Sequence, residues 1–300
     1  MIMTRLAALI GAIASCLTAL PALSAAAAEL AAAEDAAPPD NNVFYSLIRT
    51  ETANAPPIGW ARLAVPATFG AVPSHGFYAD AFFDDARHSV VIAFRRLNPI
   101  PLVNAGTYDT DALILRGVPP TGYEHDVHAF LEAVAMEAAR QTPPLSTDPD
   151  RIFVTGNSLG AYGAQVAARE HRYRGVGFAG PGIPGYHAPA ERDARFVNYL
   201  IYGDPVANHA TDTGISWASW PNAAAFGDHY GRIERLGEAD DQLPLQLAVI
   251  EAAAPPADPF AALASAIGHL GLGIEIGLWH MSPRYKTKLG IETLPQPVAR

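Results

Sequence analysis

The sequence predicts an α/β fold with a mainly parallel central sheet flanked by helices. Short apolar runs rich in β-branched residues alternate with segments of helical character, which is the pattern of βαβ units. Half of the 300 residues are hydrophobic and 17% are charged, so the chain can bury a sizeable core. A serine bracketed by glycines, at 156–160, lies directly between one apolar run and one helical segment.

Four apolar runs are predicted to be buried strands, at 89–94, 151–155, 175–179 and 196–202. Three other segments are predicted to be helical: 126–140 has apolar residues at helical spacing, 159–170 is rich in small residues, and 258–272 is largely apolar. The mixed, turn-rich stretch from 205 to 250 gives no assignment.

The N-terminus predicts export. Arg5 precedes an apolar or small-residue stretch from Leu6 to Leu20, and small residues at 23–28 offer a cleavage site. We therefore expect a signal peptide at 1–28, a flexible linker at 29–42 and one folded domain at 43–300. Two alternatives stay open: an N-terminal anchor that is retained, and a lipoprotein signal in which Cys16, the only cysteine, is acylated.

Charge and cysteine content exclude several classes of function. The formal net charge of -10 argues against a nucleic-acid partner, which needs clustered Lys and Arg, and gives no general attraction to anionic membranes. Once Cys16 is removed or lipidated, no thiol remains for a disulfide, for catalysis or for zinc. We expect neither a metal nor a cofactor.

The motif at 156–160 is G-x-S-x-G, with Ser158 at its centre. Its place after a predicted strand and before a predicted helix is the setting of the nucleophile elbow of α/β-hydrolases. The turn is tight, so side chains two positions before and after the serine would collide with the neighbouring backbone. The same turn places the backbone N–H of Leu159 at a helix N-terminus, where an oxyanion would form.

A serine nucleophile needs a histidine base, and the histidine needs a carboxylate to orient it. Asp204 follows the predicted strand at 196–202 in a Gly-Asp-Pro turn, which is where the acid of such a triad should lie. Asp193 and Asp212 lack a preceding predicted strand.

Three histidines follow Ser158 as candidate bases. His209 is too close behind Asp204 for a separate loop to carry it. His229 lies in a Gly-Asp-His-Tyr-Gly segment that is predicted to be an exposed surface loop, and His280 lies near the C-terminus. The residues alone do not decide between His229 and His280.

The chain from about 77 to 285 resembles the class 3 lipases, the fungal-lipase-like branch of the α/β-hydrolases. The segments that carry the resemblance occur in the family's order: 90–95, Asp111, 127–130, 154–161, 178–181, Asn198 with 204–206, and His280 with Tyr285. The first is similar to the family's strand ending in Phe-Arg-Gly-Thr/Ser, the fourth to Val-Thr-Gly-His-Ser-Leu-Gly-Gly, and the last to its late His…Tyr pair.

The resemblance implies a Ser158–Asp204–His280 triad and ester hydrolysis. It also implies two backbone oxyanion donors, from Leu159 and Leu97. Arg96 and Leu97 stand where the family has a glycine and a hydroxyl residue, and these departures affect the geometry of the oxyanion hole rather than the fold.

The function predicted from the sequence is that of an exported serine esterase or lipase. Its substrate would be a carboxylic ester, in particular a lipid acyl ester, met in transient contact with a lipid interface. The sequence does not determine the oligomeric state. Two alternatives remain: a non-catalytic binding or interaction protein on the same fold, and another serine-elbow hydrolase such as a peptidase or a polyester depolymerase.

Overall fold

The computed structural model describes residues 38–49, 55–65, 75–84, 89–95, 105–214, 223–239 and 282–291. In these ranges seven strands form one sheet in which sequence order is also spatial order. The strands are β1 (Ala61–Arg62), β2 (Ala79–Asp84), β3 (Ser89–Phe94), β4 (Ile152–Asn157), β5 (Arg174–Phe178), β6 (Phe196–Ile201) and β7 (Arg232–Leu236). β1, β2 and β3 pair antiparallel, whereas β3 to β7 run parallel.

The helices of the described ranges are α1 (Asn41–Arg49), α2 (Ala105–Leu115), α3 (Thr121–Arg140), α4 (Leu159–His171) and α5 (Ser282–Leu289). A mainly parallel sheet flanked by helices confirms the predicted fold class, and the four predicted strands agree with β3 to β6 to within one or two residues. α3 begins at Thr121 rather than at 126, because Tyr123 packs its ring against Phe77 and Tyr162 and draws the first turn into the core.

The core has two layers because side chains alternate between the two faces of a strand. In β3, Val90, Ile92 and Phe94 join α3 and α4 in one hydrophobic cluster. Val91 and Ala93 join α1 in a second cluster on the other face. β3 and β4 are buried throughout, as expected for central parallel strands covered on both sides.

Parallel pairing brings the carboxyl ends of β3 to β6 to one edge of the sheet. The register pairs Phe94 with Gly156, Asn157 with Phe178, and Phe178 with Tyr199. Catalytic groups of open α/β sheets collect at such an edge.

Several sequence predictions concern residues outside the described ranges: the signal peptide at 1–28 with Cys16, the helix at 258–272, Arg96, Leu97 and His280. None of the helices in the part of the chain that the structure describes is both long and apolar enough to cross a membrane.

Candidate functional site

Ser158 occupies a strained turn between β4 and α4. Its backbone has φ 59° and ψ -126°, a conformation that residues other than glycine rarely adopt. A Cβ at Gly156 would lie 2.1 Å from the carbonyl oxygen of Gly160, and one at Gly160 would lie 2.2 Å from that of Phe94. The two glycines of the motif are therefore sterically required, and the turn leaves Ser158 partly exposed.

Hydrogen bonds hold the turn in place. The backbone N–H of Ser158 donates to the carbonyl oxygen of Phe178 at the end of β5 (2.9 Å), and the side-chain amide of Asn157 donates to the same oxygen (3.1 Å). The carbonyl oxygen of Ser158 accepts from Ala161 in the first turn of α4 (2.9 Å). The nucleophile position is thus fixed from both the sheet and the helix.

The N-terminus of α4 provides a place for developing negative charge. Leu159 is the first residue of α4, so its N–H has no acceptor within the helix and lies at the positive end of the helix dipole. Gly160 packs against the carbonyl oxygens of Phe94 and Arg95, so the chain that leaves β3 passes over this first turn. The role of Leu97 as a second donor remains a prediction.

Asp204 lies just beyond β6 and is fully buried. Its Oδ1 accepts from the backbone N–H groups of Val206 (3.0 Å) and Ala207 (3.1 Å), and its Oδ2 accepts from the hydroxyl of Tyr285 (2.7 Å). The Tyr285 hydroxyl in turn accepts from the N–H of Ile201 (3.0 Å). The carboxylate is therefore held in one orientation at the carboxyl edge of the sheet.

Tyr285 connects this edge with the C-terminal part of the chain. It lies in α5, which begins at Ser282, and burial together with the charge of Asp204 raises the pKa of its hydroxyl well above the usual value. The protonated phenol is therefore a dependable donor to Asp204. His280 precedes α5 by two residues in the sequence, and its proximity to Asp204 stays a prediction.

His229 is not in a surface loop, and that expectation is wrong. Its side chain is completely buried, with Nδ1 2.8 Å from Oδ1 of Asp212 and Nε2 3.0 Å from the carbonyl oxygen of Gly180. Gly227 and Gly231, both with positive φ, turn the segment into the protein just before β7. A Cβ at Gly227 would lie 1.7 Å from the carbonyl oxygen of Ile183, which shows how closely this segment packs.

Asp212 joins His229 and Arg192. Its Oδ2 accepts from the backbone N–H of His229 and from the guanidinium of Arg192, both at 2.8 Å. Burial alone would raise the pKa of Asp212, but the hydrogen bonds and charge of His229, together with Arg192, outweigh it and lower the pKa to about 2. Asp212 is therefore ionised at neutral pH.

His209 is also buried. Its ring centroid lies 3.7 Å from that of Phe226, and burial lowers its pKa to about 4. Its backbone N–H donates to the carbonyl oxygen of Val206 in the turn after Asp204 (3.0 Å). His209 is thus a neutral side chain packed on an aromatic ring.

The structure brings Ser158, Leu159 and Asp204 to one edge of the sheet. Sequence reasoning missed the pairing of Asp212 with His229, because it required a preceding strand for a functional carboxylate. Sequence reasoning also missed the hydrogen bond from the Tyr285 hydroxyl to Asp204. The late His…Tyr pair was the signal that could have suggested this bond.

No protein-family model and no curated protein matches the sequence. Among solved structures, the chain is similar to the extracellular lipase LipA of Serratia marcescens, with 21% identity over 52% of this chain and 29% of that one, and a TM-score of 0.37. A Rhizomucor miehei lipase has 18% identity over 66% and 67% of the two chains, with a TM-score of 0.40. The Lip2 lipase of Yarrowia lipolytica has 12% identity over 65% and 78%, with a TM-score of 0.36. Similarity this limited is no evidence of shared chemistry.

Proposed function

We propose that this protein is a serine hydrolase that cleaves carboxylic esters, with Ser158 as nucleophile, His280 as general base and Asp204 as the acid that orients the base. The observation that carries the proposal is the strained turn at Ser158, on the same sheet edge as the fixed carboxylate of Asp204. Strain of this kind persists where the surrounding structure enforces it, and it concentrates at functional sites.

The spacing of the strands suits such a triad. Neighbouring strands lie about 4.8 Å apart, so the ends of β4 and β6, separated by β5, are about 10 Å apart. An imidazole with a hydrogen bond of about 2.8 Å at each nitrogen bridges about 8 Å. A histidine between Ser158 and Asp204 therefore has the right size to contact both.

In the proposed reaction, the Ser158 hydroxyl attacks the ester carbonyl while His280 accepts its proton. The oxyanion forms against the N–H of Leu159 and, by resemblance, that of Leu97. The alcohol leaves with the proton from His280, and water then hydrolyses the acyl-enzyme by the same steps. Asp204 stabilises the imidazolium that forms in each half-reaction.

The substrate class rests on the resemblance to class 3 lipases, which implies acyl esters at a lipid interface. Export of the protein, predicted from its N-terminal segment, agrees with such a substrate outside the cytoplasm. Among the described residues no cluster of three or more His, Cys, Asp or Glu side chains could hold a metal ion, and the proposed chemistry needs none.

The test is turnover of p-nitrophenyl esters of graded chain length by purified protein, compared with a Ser158→Ala variant. We expect the variant to lose at least about 10⁴-fold in kcat with its fold intact, because triad members act as a unit. Ser146→Ala is the matched control, since Ser146 precedes β4 and lies at the opposite end of that strand. A fluorophosphonate should label Ser158.

Three outcomes would contradict the proposal. A folded wild-type protein without ester turnover and without label at Ser158 would favour a binding protein. Efficient peptide cleavage without ester turnover would favour a peptidase. Labelling of another serine would show that the elbow is not the site.

A further inference from the structure

Behind the nucleophile turn lies a group of buried and partly buried polar side chains that the proposed reaction does not use. We call it the Gly180 clamp, and it consists of Gln165, Arg192, Asp212 and His229. Gln165 lies in α4 and Arg192 in the loop that follows β5. Asp212 and His229 lie before and after residues 215–222.

Two contacts hold the ring of His229 in place. Its Nδ1 faces the carboxylate of Asp212 (2.8 Å) and its Nε2 faces the carbonyl oxygen of Gly180 (3.0 Å), and both of these oxygens can only accept. The ring of His229 is therefore held between these two oxygens. Arg192 bonds both Asp212 and the carbonyl oxygen of His229, which holds the pair together.

The carbonyl that His229 bonds belongs to a loop pressed against the nucleophile helix. A Cβ at Gly180 would lie 2.7 Å from the Cβ of Ala161, in the first turn of α4. One residue before Gly180, Ala179 has a positive φ of 58°, a strained backbone that needs support from its surroundings.

A second pair of hydrogen bonds runs beside the first. The side-chain amide of Gln165, one turn further along α4, donates to the carbonyl oxygen of Pro181 (2.9 Å), and its oxygen accepts from the backbone N–H of Tyr230 (3.0 Å). The loop at 179–181 is thus held between α4 on one side and His229 with Tyr230 on the other.

We propose that His229 is a positioning residue, which holds Gly180 against Ala161 and so fixes the first turn of α4, with Ser158 and the oxyanion donor Leu159. This inference rests on the proposed function of Ser158. Release of the Gly180 carbonyl would let the loop and the first turn of α4 shift, and a displacement of about 1 Å of catalytic groups can cost about 100-fold in rate.

The test uses three substitutions that separate the two bonds of His229. His229→Gln places an N–H₂ at the position of Nε2 and keeps the bond to Gly180. His229→Asn places one at the position of Nδ1 and keeps only the bond to Asp212. His229→Leu removes both. The readouts are kcat and KM for an ester, the rate of fluorophosphonate labelling at Ser158, and thermal stability.

We expect the Asn and Leu variants to lose about 10- to 100-fold in kcat and in labelling rate, with little change in KM. The Gln variant should keep most of its activity, because it keeps the bond to the Gly180 carbonyl. The inference is overturned if Gln and Asn lose activity equally, if neither loses any, or if activity follows thermal stability alone. An unlabelled, inactive wild type would instead reject the proposed function, so the two failures are distinguishable.

Discussion

Asp204 and Asp212 are both buried carboxylates in the chain that follows β6, but their described partners come from different parts of the fold. Asp204 accepts from two backbone amides of the turn that follows it and from the Tyr285 hydroxyl of α5. Asp212 bonds the ring and the backbone N–H of His229 and the guanidinium of Arg192. We therefore expect Asp204 to orient the base of the proposed reaction, and Asp212 to hold His229 in place.

The two regions also differ in access. Ser158 is partly exposed at the carboxyl edge of the sheet, whereas the side chain of His229 has no exposed surface and bonds a backbone carbonyl. A catalytic base must reach both the serine hydroxyl and the leaving group of a substrate. The Asp204 region therefore suits the proposed catalytic role, and the Asp212 region suits a structural one.

Replacing His280 and His229 by alanine is expected to give the largest difference between the two regions. We expect His280→Ala to lower kcat/KM for an ester by about 10⁴-fold or more, because the serine then lacks its base. His229→Ala should cost about 100-fold or less, since it affects only the placement of the turn. Steady-state kinetics on folded protein measure both.

His209→Ala is the control for removal of a buried histidine from the same region. A folded His229→Ala variant that is inactive beside an active His280→Ala variant would reverse the assignment of the two regions.

Substitution of the two carboxylates gives the next largest contrast. Asp204→Asn should lower kcat by about 10³- to 10⁴-fold, because an amide no longer holds the base in the correct tautomer. Asp212→Asn should have a much smaller effect on kcat, because that carboxylate acts only through the Gly180 clamp. Comparable losses in both variants, measured at equal folded fraction, would contradict the distinction drawn between them.

Local patterns were sufficient to predict the central sheet. The apolar runs of β3 to β6 and the glycines around Ser158 have a physical cause that acts within a few residues, so they can be identified from the sequence. β7, with the sequence RIERL, was missed because three of its five residues are charged and its pairing with β6 leaves no local signal in the sequence.

Long-range polar contacts could not be predicted in the same way. The bond between Tyr285 and Asp204 spans 81 residues, and that between His229 and Gly180 spans 49. Nothing local at Gly-Asp-His-Tyr-Gly distinguishes a buried segment from a surface loop. The packing of Gly227 against Ile183 decides it, and that contact exists only in the folded chain.

Tyr285→Phe tests the hydrogen bond that the Tyr285 hydroxyl donates to Asp204, and its expected effect is smaller. Loss of the hydroxyl removes one donor from Asp204 and leaves the N–H of Ile201 without its acceptor, which should cost about 1 to 3 kcal/mol in the free energy of unfolding. We expect kcat to fall by about 10-fold, because the carboxylate is still held by the turn at 206–207. Denaturant unfolding and ester kinetics measure the two effects.

Tyr173→Phe is the matched control, since Tyr173 lies just before β5 at the opposite edge of the sheet. Equal effects of the two substitutions would show that the Tyr285 hydroxyl has no particular role at Asp204.

The smallest expected effect concerns the stability of the Asp212 region in acid. Hydrogen bonds and charge from His229 and Arg192 lower the pKa of Asp212 to about 2 in the folded protein, against 3.8 for an ordinary aspartate. A group whose folded pKa is depressed stabilises the protein above its unfolded pKa, and that stability is lost as pH falls. The contribution of Asp212, on the order of 2 kcal/mol, should therefore decline between about pH 4 and pH 2.

In Asp212→Asn the unfolding free energy should change less steeply across this window, whereas Glu132→Gln, at an exposed carboxylate of α3, should keep the wild-type slope. Denaturant unfolding at several pH values measures the slopes, and equal slopes in wild type and Asp212→Asn would mean that His229 and Arg192 do not stabilise the charge of Asp212.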